Sequence, residues 1–163
     1  MTQRGEIAYN TQMEKRELSF EDMQAGAYAL ATKIVESGYK PGIIVGLSRG
    51  GLVPAVMLSH ILDVGMIPFS LSLRDNTSIR HEFDLLDGFG NILVVDDIND
   101  SGNTIGIIKD LSKHLTTKIN FAVLINKSES NSKVEYYGKT VNTKLHDYWY
   151  VFPWENWWKI DEK

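Results

Sequence analysis

Three apolar runs, GIIVGL (42–47), NILVVDD (91–97) and KINFAVLIN (118–126), constrain the fold of this 163-residue chain more than any other feature. Each is strand length. Each lacks the apolar–polar alternation of a half-wet strand, so each reads as a strand buried on both faces. The segments between them carry helical spacing. LVPAVMLSHIL (52–62) reads as a helix with Pro54 in its first turn, where a missing N–H costs little. From about Thr104, Ile105, Ile108, Leu111 and Leu115 share one face. Strand and helix in alternation imply an α/β fold: a twisted parallel sheet flanked by helices.

Upstream, Ser19 and Asp22 form a capping box, with Leu18 and Met23 as its hydrophobic staple. Met23, Ala27, Leu30 and Ile34 make the stripe that follows, and Gly38 is the stop. MIPFSLSL (66–73) reads as a further strand. The polar stretch 74–90 reads as a loop or loose hairpin, residues 1–17 as an N-terminal arm, and 18–163 as one domain. The stretch from Lys133, rich in Tyr and Trp, suggests a small appended element.

Composition narrows the class. Hydrophobic content of 43% with 23% charged residues suits a globular domain. The absence of cysteine removes disulfides and thiolate metal sites, and fits a reducing, cytoplasmic setting. A net charge of −4 argues against wrapping nucleic acid. No stretch approaches the roughly 20 apolar residues of a membrane span.

In such sheets ligands bind beyond the carboxyl ends of the strands. Two unusual loops fall there. Ser48-Arg49-Gly50-Gly51 follows the first run. Its glycines allow converging N–H groups, and Arg49 offers a planar fork for phosphate oxygens. VVDDINDSGNT (94–104) ends the second run in Asp96 and Asp97, with Asp100 close behind. Ser101, Gly102, Asn103 and Thr104 then lead into a helix, whose free N–H groups favour an anion. Adjacent strand residues point to opposite faces, so Asp96 and Asp97 have different tasks. Clustered carboxylates call for a cation or hydroxyl donors. Taken together, the loops suggest a ligand with two phosphate groups and a diol between them.

VVDDINDSGNT resembles the phosphoribosyl-pyrophosphate signature of the type I phosphoribosyltransferases, and LSRGGLVPA (47–55) is similar to their pyrophosphate loop. HDYWYVFPWE (146–155) resembles the purine-binding segment of the xanthine–guanine and hypoxanthine members, here placed within residues 140–158. The resemblance implies a Rossmann-like domain with a C-terminal hood. It implies Mg²⁺-dependent transfer of phosphoribose from phosphoribosyl pyrophosphate to a 6-oxopurine, by a homodimer or homotetramer. Asp96 and Asp97 would hold the ribose hydroxyls and Mg²⁺, and Asp100 to Thr104 the 5′-phosphate. Ser48, Arg49, Gly50 and Gly51 would hold pyrophosphate, with the Ser48–Arg49 peptide often strained or cis. Asp100 would act as base near the purine N7. Lys127 would meet the 6-oxo group, Trp149 would stack on the base, and the Tyr150 backbone would lie near its 2-position. The 74–90 stretch would be a lid, with Arg80 a pyrophosphate contact. Ser101 stands where Thr is more usual, Asn99 and Asn103 are less typical and could tune the loop, and the lid lacks a lysine-rich character.

Other readings of the same residues are an N-cap for Ser101 to Thr104, a solvated Lys127 and a core Trp149. Trp154, Trp157 and Trp158 are assigned to packing or a subunit interface. His60 reads as a structural histidine on an apolar stripe, and His81 and His146 show no metal spacing. At the level of function, the alternatives are a non-catalytic sensor of phosphoribosyl pyrophosphate or nucleotide on the same fold, and a phospho-acceptor receiver domain. A receiver would place its acid pair earlier in the chain.

Overall fold

The computed structural model describes residues 13–71 and 75–159. Strand β1 (Glu14–Glu17) leads to Ser19, which caps helix α1 (Phe20–Glu36). The Ser19 hydroxyl accepts from the Asp22 N–H at 3.0 Å, and Asp22 Oδ2 accepts from the Ser19 N–H at 2.8 Å. The reciprocal box read from the sequence is therefore present. Leu18 and Met23 are both buried, as a staple requires. The helix stops through Ser37 into Gly38, whose φ of 73° suits a residue without a Cβ.

The chain then alternates: β2 (Pro41–Leu47), α2 (Leu52–Leu62), β3 (Met66–Phe69), α3 (Asn76–Leu86), β4 (Asn91–Asn99), α4 (Asn103–Leu111), β5 (Ile119–Lys127) and β6 (Tyr136–Val141). The five strands lie in the order β3-β2-β4-β5-β6, all parallel. Alternate residues of the central strands serve two cores. Ile44, Leu93, Val95 and Leu124 pack with Leu30, Ile34 and Leu58 of α1 and α2. Ile43, Val45, Ile92, Val94 and Phe121 pack with Ile79, Phe83, Ile105 and Ile108 of α3 and α4. Each such side chain contributes roughly 1.5–3 kcal/mol of burial. Both faces of the sheet are thus covered, which is why its strands read as unbroken apolar runs.

A second sheet pairs β1 in parallel with β7 (Tyr148–Val151), from Glu14 opposite Tyr148 to Glu17 opposite Val151. Residues 14–17, expected as part of an arm, are therefore one half of the hood, and Leu18 donates to the Val151 carbonyl at 2.9 Å. Residues 1–12 lie outside the described residues.

The polar stretch 74–90 departs most from expectation. Residues 76–86 form α3, capped by the Asp75 carboxylate, which accepts from Ser78 N–H at 2.8 Å. Ile79, Phe83 and Leu86 form a narrow buried stripe in a helix that is otherwise polar apart from the exposed Leu85, enough to seat it on the sheet. Strand β3 ends at Phe69, earlier than the run 66–73 implied. Helix α4 stops at Leu111, short of Leu115, where the Ser112 hydroxyl turns back to the Ile108 carbonyl at 2.7 Å.

Candidate active site

The two sequence-marked loops leave the carboxyl ends of the neighbouring strands β2 and β4, and Lys127 ends the adjoining β5, so the fold gathers them at one rim. The Ser48–Arg49 peptide is cis, and Arg49 is exposed. The two glycines that follow are crowded, Gly50 by a side chain and Gly51 by backbone. A Cβ on Gly50 would lie 1.9 Å from Asp97 Oδ2. One on Gly51 would lie 2.4 Å from the Val95 carbonyl oxygen and 2.8 Å from Asp96 Cα. The phosphate-type loop of β2 is thereby pressed directly onto the acid pair of β4.

Asp96 and Asp97 face different spaces. Asp97, with Arg49 and Gly50, lines a cavity of about 460 Å³ closed by Trp154, Glu155 and Trp158. Asp96, with Ser48 and Thr104, lines another of about 430 Å³, walled by Leu71 and by Asn76 of α3. Burial, then the Asp97 charge, holds the Asp96 carboxyl well above the usual carboxylate range. Asp97 is also pushed up, chiefly by burial, with the Glu155 charge adding to it. Among the described residues no three His, Cys, Asp or Glu side chains gather to hold a metal. Two partly buried carboxylates with an adjoining cavity nonetheless suit Mg²⁺, which keeps waters and takes ligand phosphates as its other oxygens.

At the head of α4, Gly102 has a φ of 88°. Ser101 is exposed, and its hydroxyl accepts from the Asn103 N–H at 3.2 Å. The N-cap is Gly102, which has no side chain, so no Ser, Asn or Thr caps α4; the Ser101 contact is a local turn before the cap, on a rim that can meet an anion.

Lys127, at the end of β5, is not the solvated residue its position suggests. Its side chain is 12% exposed and its Nζ lies 2.7 Å from Asp100 Oδ1. The register that sets Asn99 opposite Asn126 brings these two residues together. Asp147 Oδ1 is 3.8 Å from the same Nζ. Sequence reasoning missed Asp147, although it lies within the aromatic segment and precedes Trp149 by two residues.

On β7, alternation buries Tyr150 and leaves Trp149 54% exposed, so Trp149 is not a core residue. Trp154 stacks on Phe152 at 4.9 Å, which fits packing. Yet Trp154 and Trp158 also wall the Asp97 cavity, which corrects their assignment to packing or interface alone. The Trp154 indole N–H is buried without a hydrogen-bond partner among the described residues. Glu155 is a further site residue missed in the sequence, where it looks like one more surface acid. Arg80 is exposed on α3 and lines neither of these two cavities. His60 is exposed rather than structural, His81 is exposed too, and the His146 ring stacks on Tyr148 at 5.7 Å. Among the described residues no helix is long and apolar enough to cross a membrane.

Comparison with known proteins agrees with this geometry. The family model described as the phosphoribosyl transferase domain matches residues 19–159. A xanthine-guanine phosphoribosyltransferase of Desulfotalea psychrophila is 29% identical over 143 residues, covering 85% of this chain and 84% of that protein. The crystal structure of a purine phosphoribosyltransferase from Pyrococcus horikoshii superposes with a TM-score of 0.67 at 30% identity, covering 88% of this chain and 95% of that one. A hypothetical protein from Neisseria gonorrhoeae with bound ppGpp gives a TM-score of 0.68 at 25% identity, over 88% and 90% of the two chains. A family match running through both strand-end loops and the aromatic hood leaves one conclusion: this chain belongs to the phosphoribosyltransferases, enzymes of the glycosyltransferase type.

Proposed function

We propose that the protein transfers the 5-phosphoribosyl group of phosphoribosyl pyrophosphate to a 6-oxopurine (xanthine, guanine or hypoxanthine), releasing pyrophosphate, with Mg²⁺ as cofactor. The Lys127–Asp100 pair carries the reading. An ammonium has only hydrogens to offer, and a carboxylate only lone pairs. Set 2.7 Å apart, they present a donor and an acceptor side by side. A 6-oxopurine offers the complement along one edge: an oxygen at position 6 and an N–H at N7. A 6-amino group would meet the ammonium donor to donor, and such unpaired polar contacts give strong discrimination.

In this reading Asp100 accepts the N7 proton as N9, across the imidazole ring, bonds to the anomeric carbon and the bond from that carbon to pyrophosphate breaks. The sugar passes through an oxocarbenium-like state, so charge grows on the departing pyrophosphate. Arg49 and the Gly50 N–H stabilise that charge, while the Gly51 N–H holds the turn by donating to the Leu47 carbonyl at 2.8 Å. Asp96 and Asp97 would hold Mg²⁺, which supplies Lewis-acid stabilisation of the leaving oxygens when bound. The head of α4 takes the 5′-phosphate. Trp149, exposed on β7, stacks on the base. A homodimer or homotetramer belongs to the same proposal: Val56 and Ile61 stand exposed on α2, whose sequence is apolar almost all round.

A spectrophotometric assay with Mg²⁺, phosphoribosyl pyrophosphate and each of xanthine, guanine, hypoxanthine and adenine tests the reading. Nucleotide from one or more 6-oxopurines but not from adenine is the expected result. The second reading, a sensor of phosphoribosyl pyrophosphate or nucleotide, has the ppGpp-bound Neisseria structure in its favour. Clear ligand binding without turnover of any base would establish it instead.

A further inference from the structure

Asn99 is among the buried polar side chains of the molecule, 2% exposed at the end of β4. Its amide is well satisfied. Nδ2 donates to Asn126 Oδ1 at 2.8 Å and to the Ser132 carbonyl at 2.7 Å, and Oδ1 accepts from the Ser130 hydroxyl at 2.8 Å. A buried amide with its partners made is expensive to disturb, so the segment it grips is fixed. That segment, Ser130-Asn131-Ser132, lies against the phosphate loop. The Asn131 N–H donates to the Ser101 carbonyl at 2.9 Å. The Ser132 hydroxyl donates to the Gly102 carbonyl at 2.8 Å, beside the helical bond that Gly106 N–H makes to the same oxygen. The two layers touch so closely that a Cβ on Gly102 would sit 2.5 Å from Ser132 N and 2.6 Å from Ser130 Oγ.

In a trans peptide the C=O and the following N–H point in opposite directions. A carbonyl drawn toward residues 130–132 therefore turns the next N–H away from them. Holding the Ser101 carbonyl sets the direction of the Gly102 N–H, and holding the Gly102 carbonyl sets that of the Asn103 N–H, which meets the Ser101 hydroxyl at 3.2 Å; both N–H groups lie at the head of α4. We propose that Ser130, Asn131 and Ser132, pinned from below by Asn99, are a positioning clamp that aims the phosphate-binding N–H groups of the 100–104 loop. None of the four touches the ligand. They act through the loop, and their contribution is preorganisation: donors already aimed need no rearrangement when the anion arrives. The inference rests on the assignment of that loop to the 5′-phosphate.

Calorimetric titration of the full chain with ribose 5-phosphate and, separately, with inorganic pyrophosphate plus Mg²⁺ tests it. Ser132→Ala removes one partly buried hydroxyl and leaves the core intact. It is expected to weaken ribose 5-phosphate about fivefold to tenfold, one hydrogen bond's worth, and to leave pyrophosphate affinity unchanged. Ser132→Thr, which keeps the hydroxyl, is expected to restore ribose 5-phosphate binding. Asn99→Leu is expected to show the larger loss, with its melting temperature recorded alongside. In turnover the KM for phosphoribosyl pyrophosphate rises while the KM for the purine does not. Unchanged ribose 5-phosphate affinity in folded Ser132→Ala overturns the clamp. So does an equal loss for both ligands, which marks general loosening. A wild-type chain that ignores ribose 5-phosphate while binding pyrophosphate overturns the phosphate assignment itself, and the clamp with it.

Discussion

Gly50→Ala separates the catalytic role of the Ser48–Gly51 loop from its structural one. Gly50 has no left-handed backbone, so alanine adopts its conformation without strain. The substitution even restricts the unfolded chain, a gain of about 0.4–1 kcal/mol where nothing clashes. Here something does: the new Cβ would lie 1.9 Å from Asp97 Oδ2, where ordinary contact begins at 3.4 Å. The carboxylate must retreat by about 1.5 Å, the difference between those distances, and it can do so because it is a side chain bordering a cavity. Folding is therefore preserved while a candidate metal and ribose ligand is displaced. Misplacement on the order of 1 Å costs about 100-fold in rate, or about 2.7 kcal/mol of transition-state stabilisation. The expected result is kcat/KM for phosphoribosyl pyrophosphate down about 100-fold, with a melting temperature near that of the wild type. Gly51→Ala is the contrast, because its Cβ would strike the backbone of Leu47, Val95 and Asp96. Those atoms cannot rotate away, and the overpacking costs about 1–3 kcal/mol or more of stability. Folded Gly50→Ala retaining activity within a factor of about three would refute the reasoning, because a displacement of this size leaves the chemistry more than that behind.

Asp100→Asn keeps the shape and removes the base. Turnover is expected to fall by about 10²–10⁴-fold, with circular dichroism unchanged. Trp149→Ala is expected to raise the purine KM about tenfold to 100-fold through lost stacking, with little change in melting temperature, because the ring is already 54% exposed. The acid pair predicts a pH effect whose sign follows from linkage. Both carboxyls are held above their unfolded range, so the native state binds more protons than the unfolded chain. Asp22, Asp75 and Glu129 are held low by hydrogen bonds and act with the opposite sign, so the pair is read against an Asp96→Asn variant: without added cation, the wild-type melting temperature is expected to fall relative to that variant as pH rises through and above the ordinary carboxylate range. Mg²⁺ at neutral pH reverses the loss, and a melting temperature indifferent to both would contradict the arrangement.

The parts of the fold that were legible in sequence are those whose signal is local. The Ser19–Asp22 box needs only residues three apart, and the buried strands announce themselves because both sheet faces are covered. Helix α3 was hidden because it spends only Ile79, Phe83 and Leu86 on the core, a stripe one residue wide amid polar neighbours. The acid cluster and the glycine loop were legible because strand ends in a parallel sheet have a known geometry. Asp147 and Glu155 were not. Each joins the site only through the path of the chain after β6, which no periodicity reveals. Asn99 stood out as an unusual residue, but its partners 27 to 33 positions away could not be read from it.

The parallel pairing of residues 14–17 with residues 148–151 has a kinetic consequence. The five-stranded sheet links strands that are neighbours or near neighbours along the chain, while β1 and β7 are separated by most of it. Closing so long a loop costs entropy that only later contacts repay, and such high contact order slows assembly. The pairing of Glu14–Glu17 with Tyr148–Val151 is therefore expected to form after the five-stranded sheet. Pulsed amide exchange during refolding would show β1 and β7 protected later than β2, β4 and β5, and simultaneous protection would contradict that order.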